Sequence, residues 1–211
     1  MPSIYIGKTG IIHEVLRSKI PHLKNLAEPS DPLERRFLFT GPPGLAKTDL
    51  ARQFALELAG AGGRSDLNLD FYMGTAVNVE VIRDWVRNAC YRPLWGDLTI
   101  RFIDEIDTTP PAAVTELRGY LDTLPRSVIF LATTNKLVKD LAEPLQTRFK
   151  IWKFEPVQAP VLAAFLQTRF PQLAADTLHS IAAKAMGNVR AALIDADSEA
   201  DVARYRQLAA A

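Results

Sequence analysis

Residues 36–40, 68–73, 98–103, 127–133 and 149–154 are short apolar runs, and the stretches between them carry helical spacing. Alternation of this kind predicts an α/β fold, a parallel five-stranded sheet flanked by helices. Between the first two runs, Leu50, Phe54 and Leu58 recur at helical intervals over 47–59, and Gly60 follows as a stop before a Gly-rich loop at 60–65. The spacing predicts a further helix over 79–91, with Val79, Ile82, Val86 and Cys90 as its buried stripe. Pro110 and Pro111 open another helix containing Val114, Leu117 and Leu121, since proline in a first turn gives up no hydrogen bond. Beyond Phe154-Glu155-Pro156 the strand pattern stops. Helices are predicted over 157–170, 172–186 and 188–210, broken at Pro171 and Gly187. The division expected is an α/β domain over 1–155 and a small all-α lid domain over 156–211. The early Gly7-Lys8-Thr9 reads as a loop.

Composition narrows the class. With 48% apolar residues among 211, a sizeable core is available and wholesale disorder is excluded. A net charge of +1 means that any nucleic-acid contact must come from a local patch. Arg83, Arg87 and Arg92 are the candidates, on or just beyond the 79–91 helix; a solvated helix face is the equal alternative. Trp85 and Trp95 read as packing residues. The lone Cys90 permits no disulfide framework and suits a reducing cytosol. No run of about 18 apolar residues and no secretory leader is present, so a cytoplasmic protein without a membrane partner is expected.

Candidate chemistry is concentrated after two of the apolar runs. Gly41-Pro42-Pro43-Gly44-Leu45-Ala46-Lys47-Thr48 follows the first and has the layout of a phosphate-binding loop, whose backbone N–H groups wrap phosphates. In that layout Lys47 reaches the β- and γ-phosphates and the Thr48 hydroxyl binds Mg2+. Ala46 stands where the last glycine of the pattern is expected. Ile100-Arg101-Phe102-Ile103-Asp104-Glu105-Ile106-Asp107 reads as a strand ending in paired carboxylates. Phosphoryl transfer needs one acid near Mg2+ and a group that orients the attacking water. Asp104 fits the first role and Glu105 the second.

Two weaker signals follow. Leu131-Ala132-Thr133-Thr134-Asn135 ends a strand with polar groups, and ligands of parallel sheets lie beyond the carboxyl ends of strands. Asn135 is thus either a γ-phosphate or water ligand, or a helix cap. Arg148 reads as a helix-end residue complementing the dipole, or as a cation for a transferring phosphate; Arg190 reads as a solvated helix residue, or as a lid contact to the nucleotide.

Taken in order, these segments resemble the P-loop NTPases of the AAA+ class across about 190 residues, and most closely the small ATPase subunits of clamp loaders of the replication factor C kind. Residues 37–48 look like the Walker A motif with its strand, and 100–107 like Walker B. Asn135 falls at the first sensor position and Arg190 at the second. Pro144-Leu145-Gln146-Thr147-Arg148-Phe149 is similar to the clamp-loader P-L-x-S-R-[CF] segment, with Thr147 for the usual serine. Gly74-Thr75-Ala76 and the following Val79-Glu80-Val81-Ile82-Arg83 look like the region after the second strand.

The resemblance implies strand order five-one-four-three-two and an ATP and Mg2+ site held by residues 41–48, Asp104 and Arg190. Thr48 and Asp104 would face the metal, and Glu105 and Asn135 the water. Arg148 would act as a finger on the ATP of a neighbouring subunit. It further implies a ring-like homo- or hetero-oligomer of AAA+ subunits acting on DNA and a sliding clamp in replication or repair. Clamp loaders also carry a helical collar domain, for which residues after the lid pattern offer none; another protein, a cut chain or a different assembly would account for that. A Holliday-junction-type DNA motor, a MoxR-type chaperone and an ATP-dependent assembly scaffold are the alternative readings.

Overall fold

The computed structural model describes residues 5–25, 31–59, 68–89, 91 and 97–209. The expected stop at Gly60, the loop at 60–65, Cys90, Arg92 and Trp95 lie outside the described residues. Five strands form one sheet: β1 (Arg36–Thr40), β2 (Leu69–Met73), β3 (Thr99–Asp104), β4 (Val128–Thr134) and β5 (Lys150–Lys153). Their order is β2-β3-β4-β1-β5, and every pairing is parallel. This is the predicted order, and each strand lies within one or two residues of its apolar run.

The helices are α1 (Lys8–Lys24), α2 (Lys47–Ala59), α3 (Val79–Asn88), α4 (Pro111–Asp122), the short α5 (Glu143–Gln146), α6 (Ala159–Arg169), α7 (Ala175–Lys184) and α8 (Val189–Ala209). Successive residues of a strand point to opposite faces of a sheet, so β1 shows how both faces are covered. Phe37 meets Phe54 of α2 edge-on at 5.4 Å. Its neighbour Leu38 lies in the other cluster, with Ile82 and Trp85 of α3 and Leu117 and Leu121 of α4. Both α4 leucines are fully buried, each contributing about 1.5–3 kcal/mol by leaving water.

Two local expectations are corrected. Lys8 and Thr9 open the 17-residue helix α1 rather than a loop. Leu16 and Leu23 of that helix are buried, which gives the segment the packing that its sparse apolar pattern did not announce. In α3 the buried face runs through Ile82 and Trp85, whereas Val86 is 55% exposed. Trp85 takes the interior because Tyr72, Tyr120 and Phe130 surround its ring within about 6 Å.

The chain divides into two compact units, one of Met1–Ile12, Pro42–Ala46 and Phe154–Ala211, the other of His13–Gly41 and Lys47–Lys153. The second holds the sheet. The first has its own core, in which Leu162, Leu166, Leu178 and Ala182 of α6 and α7 pack with Ala192 and Ala196 of α8. It gathers the phosphate-loop segment 42–46 with the C-terminal helices, a grouping that position along the chain does not announce.

Candidate active site

In a parallel sheet all strands deliver their last residues to one edge, and β1, β3 and β4 are neighbours there. The groups at or beyond those strand ends are Lys47, Thr48, Asp104, Glu105 and Asn135, all in the sheet-bearing unit. The structure brings these five together. Lys47, only 6% exposed, donates from Nζ to the Gly41 carbonyl and to Asn135 Oδ1, each at 2.8 Å. Asn135 turns its Nδ2 to Glu105 Oε1 at 3.3 Å. One amide thus bridges the lysine to the glutamate. The Thr48 hydroxyl donates to Asp104 Oδ1 at 2.8 Å, and the Thr133 hydroxyl donates to the same oxygen. The β3–β4 register sets the second contact: Ile103 pairs with Ala132, placing Asp104 opposite Thr133.

Glu105 is held in a left-handed conformation, φ 54 and ψ 54, which costs an L-residue about 1–2 kcal/mol. Surrounding contacts secure it. Its N–H donates to Thr133 Oγ1 at 3.0 Å, and its carbonyl accepts from Thr108 N at 2.9 Å and Thr108 Oγ1 at 2.8 Å. Gly74, just after β2, leaves room for this turn: a Cβ there would stand 2.2 Å from the Glu105 carbonyl oxygen. Backbone strain of this sort persists where neighbours over-determine it, and it concentrates at functional sites.

In the phosphate-loop segment, Pro42 and Pro43 are exposed and Leu45 is buried. Ala46 has φ 59, the left-handed conformation that glycine adopts without cost. Alanine is tolerated there at about 1 kcal/mol. Gly44, at φ 78, has a conformation strained for any other residue, and a Cβ there would lie 1.9 Å from Asn188 Oδ1 and displace that side chain. Asn188 caps the start of α8 by accepting from Ala191 N at 3.0 Å. The Arg190 amide donates to the Gly44 carbonyl at 3.2 Å, so Arg190 is anchored beside the loop by its backbone while its side chain is exposed.

Arg148 stands elsewhere. Phe37 is level with Lys150, so Arg148 lies at the amino edge of the sheet, a strand's length of about 16 Å from the carboxyl edge. There it makes a two-pronged pair with Asp122, Nε to Oδ1 at 2.8 Å and Nη2 to Oδ2 at 2.9 Å, and donates from Nη1 to the Pro144 carbonyl at 2.7 Å. The Arg148 hydrogen bond holds the Asp122 carboxyl below its ordinary range, and the same bond raises the guanidinium.

The Arg83 and Arg87 side chains are engaged in ion pairs: Arg83 with Glu80 and Glu116, and Arg87 with Asp84. Sequence reasoning assigned no role to Gly74, Thr133, Thr134 or Asp107. Their signal is positional, since each stands at a strand end beside an acidic or amide group, but only the register shows which groups meet.

The donor set fits a nucleotide with Mg2+. A buried carboxylate beside a threonine hydroxyl offers hard oxygen donors, and Mg2+ characteristically takes one or two carboxylates, leaving other positions to water and substrate phosphate. Among the described residues no cluster of three or more His, Cys, Asp or Glu side chains suggests an all-protein metal cage. No helix among them is long and apolar enough to cross a membrane.

Comparison with known proteins agrees with this geometry. Residues 37–156 match the family described as "ATPase family associated with various cellular activities (AAA)". The replication factor C small subunit of Methanothermobacter thermautotrophicus is 29% identical over 140 residues, 66% of this chain and 42% of that protein. That of Archaeoglobus fulgidus is 31% identical over 147 residues, 68% of this chain and 40% of that protein. The chain spans about half the length of the curated relatives it matches. Among solved structures, the Thermotoga maritima RuvB Holliday junction branch migration motor superposes with a TM-score of 0.66 at 22% identity, over 89% of this chain and 60% of that one. PCH-2 of C. elegans gives 0.68 at 17% identity, over 90% and 62%. These two likenesses concern the fold.

Proposed function

Because the chain belongs to the ATPase family associated with various cellular activities, we propose that it binds ATP with Mg2+ and hydrolyses the γ-phosphate, in the manner of a clamp-loader subunit. The observation that carries this reading is the chain of contacts from Lys47 through Asn135 to Glu105, beside the Thr48–Asp104 pair. The Gly41 carbonyl and Asn135 Oδ1, which accept from Lys47, are oxygen acceptors, the kind of group that a phosphate offers, so Lys47 serves the phosphates by exchanging one acceptor for another. Thr48 and Asp104 would hold the metal. Mg2+, when bound, neutralises charge on the phosphate oxygens. Glu105 orients the attacking water and takes its proton, and Asn135 keeps that carboxylate and Lys47 in mutual register. Residues 41–46 supply backbone N–H groups to the phosphates, and Arg190 supplies a cation to the same nucleotide.

Arg148 serves a different nucleotide. A strand's length separates it from its own chain's carboxyl edge, which supports a role on the ATP of a neighbouring subunit. The chain then works in an oligomer with other AAA+ subunits, ring-like by resemblance to its replication factor C relatives. By the same resemblance its target is a sliding clamp on DNA in replication or repair. The division of labour proposed is an α/β nucleotide-binding domain over 1–155 and a lid over 156–211.

Glu105→Gln tests the reading. Removing the general base lowers kcat by about 10²–10⁴-fold while ATP binding persists. Unchanged turnover in that variant would contradict the assigned role.

A further inference from the structure

Asn135 is the middle residue of a tip whose two flanking residues are tied down by Asp107 and Thr40, groups given no role in the phosphate chemistry. On one side, the Thr134 hydroxyl donates to Asp107 Oδ1 at 2.7 Å and accepts from the Lys136 amide at 3.0 Å. On the other, the Lys136 carbonyl accepts from the Thr40 hydroxyl at 2.7 Å, and Lys136 Nζ stands 3.7 Å from Asp107 Oδ2. The Thr134 side chain is fully buried, and Asp107 is 11% exposed at its side chain. Hydrogen bonds to an ionised carboxylate are stronger than neutral ones, so this tether is stiff. Asn135 itself is exposed and has only its amide to hold it between Lys47 and Glu105.

We infer that Asp107 is a positioning residue for hydrolysis: through Thr134 it fixes the backbone on which Asn135 bridges Lys47 to Glu105. This rests on the ATPase reading of the same site. Asp107 touches neither reacting group, and its effect is geometric. Asp104 and Glu105 belong to the phosphate chemistry, whereas Asp107, two residues on, belongs to the scaffold of the neighbouring strand tip. A displacement of about 1 Å in a catalytic group is enough to lower a rate up to a hundredfold.

The test compares Asp107→Ala, Asp107→Asn and Thr134→Val in the whole chain, using ATP turnover, binding of a non-hydrolysable ATP analogue with Mg2+, and the NMR signal of the Asn135 side-chain amide. Asp107→Ala and Thr134→Val each lower kcat about tenfold, leave analogue affinity within about twofold, and move the Asn135 signal toward that of a free amide. Asp107→Asn keeps an acceptor for Thr134 and restores most of kcat. The Asp107→Ala/Thr134→Val double variant is no worse than either single one, because both cut the same tether. Should Asp107→Ala not fold, Thr134→Val carries the same expectation. Unchanged kcat in the single variants, an analogue affinity that falls in step with kcat, or an unmoved Asn135 signal would each overturn the inference. A wild-type chain that binds no ATP sinks the functional reading alone, and the amide signal then decides whether Asp107 holds the tip.

Discussion

The two edges of the sheet hold their candidate site residues in different ways. At the carboxyl edge, Lys47 and Asp104 are buried, and Lys47, Asn135 and Glu105 are linked by direct bonds, so moving one group disturbs the others. At the amino edge, Arg148 is clasped by a single partly exposed carboxylate, Asp122, whose side chain is 45% exposed. Burial and cross-linking suit groups that must meet one phosphate chain in fixed geometry, because pre-set dipoles need no rearrangement at the moment of reaction. An arginine held by one partly exposed carboxylate and a backbone carbonyl suits a group that acts where another molecule arrives. On the proposed reading, the first edge serves the chain's own nucleotide and the second a neighbour's.

The largest expected effect separates the two edges. Arg148→Ala lowers turnover of the assembled protein about 10³-fold, the scale of an arginine acting on a transferring phosphoryl group. Mixing it with Lys47→Ala, which keeps its arginine but lacks a working pocket, restores activity. Absence of rescue in that mixture, measured by phosphate release, would break the assignment of the amino edge to a neighbouring site.

A smaller effect concerns pH. The Arg148 hydrogen bond depresses the folded-state carboxyl of Asp122, so the pair's stabilisation is present above the unfolded pKa of about 3.9 and is lost as pH falls through the folded value. Because the pair is partly exposed and screened, its contribution is at most about 1 kcal/mol. Urea midpoints of wild type and Asp122→Asn should therefore differ near neutrality and converge below about pH 4. A gap that widens on acidification would contradict the pairing.

The smallest effect is at the loop. Ala46→Gly removes the cost of φ 59 but adds freedom to the unfolded chain, leaving a net gain of about 0.5 kcal/mol, or roughly 1–2 °C in Tm. A lowered Tm would show that the methyl group makes contacts outweighing its strain.

The legible part of the molecule was what the chain writes contiguously. Strands buried on both faces appear as largely apolar runs, so β1, β3 and β4 were plain, and loop and acid pair each lie within one short segment. Helix α1 was not legible, because Ile12, Leu16 and Leu23 are sparse and Pro21 sits inside the helix. Proline there is a breaker signal that tertiary packing overrode. The α3 face was misjudged at Val86 for a related reason: two helical stripes were available, and the aromatic neighbours of Trp85 chose between them. The Asp104–Thr133 and Asp107–Thr134 contacts depend on strand register between β3 and β4, which no local pattern encodes. The position of Arg148 likewise required the sheet, since only the β1–β5 register places it at the far edge.

The most direct test of the central claim, that the carboxyl edge is a triphosphate pocket organised around Lys47, is calorimetric titration with ATP and Mg2+ of the wild-type chain and a folded Lys47→Ala variant. The wild type binds one ATP per chain, and the variant binds about a hundredfold more weakly, the loss of one charge-assisted contact worth about 2.7 kcal/mol. Equal affinity in the two proteins, or no binding by the wild type, would contradict it.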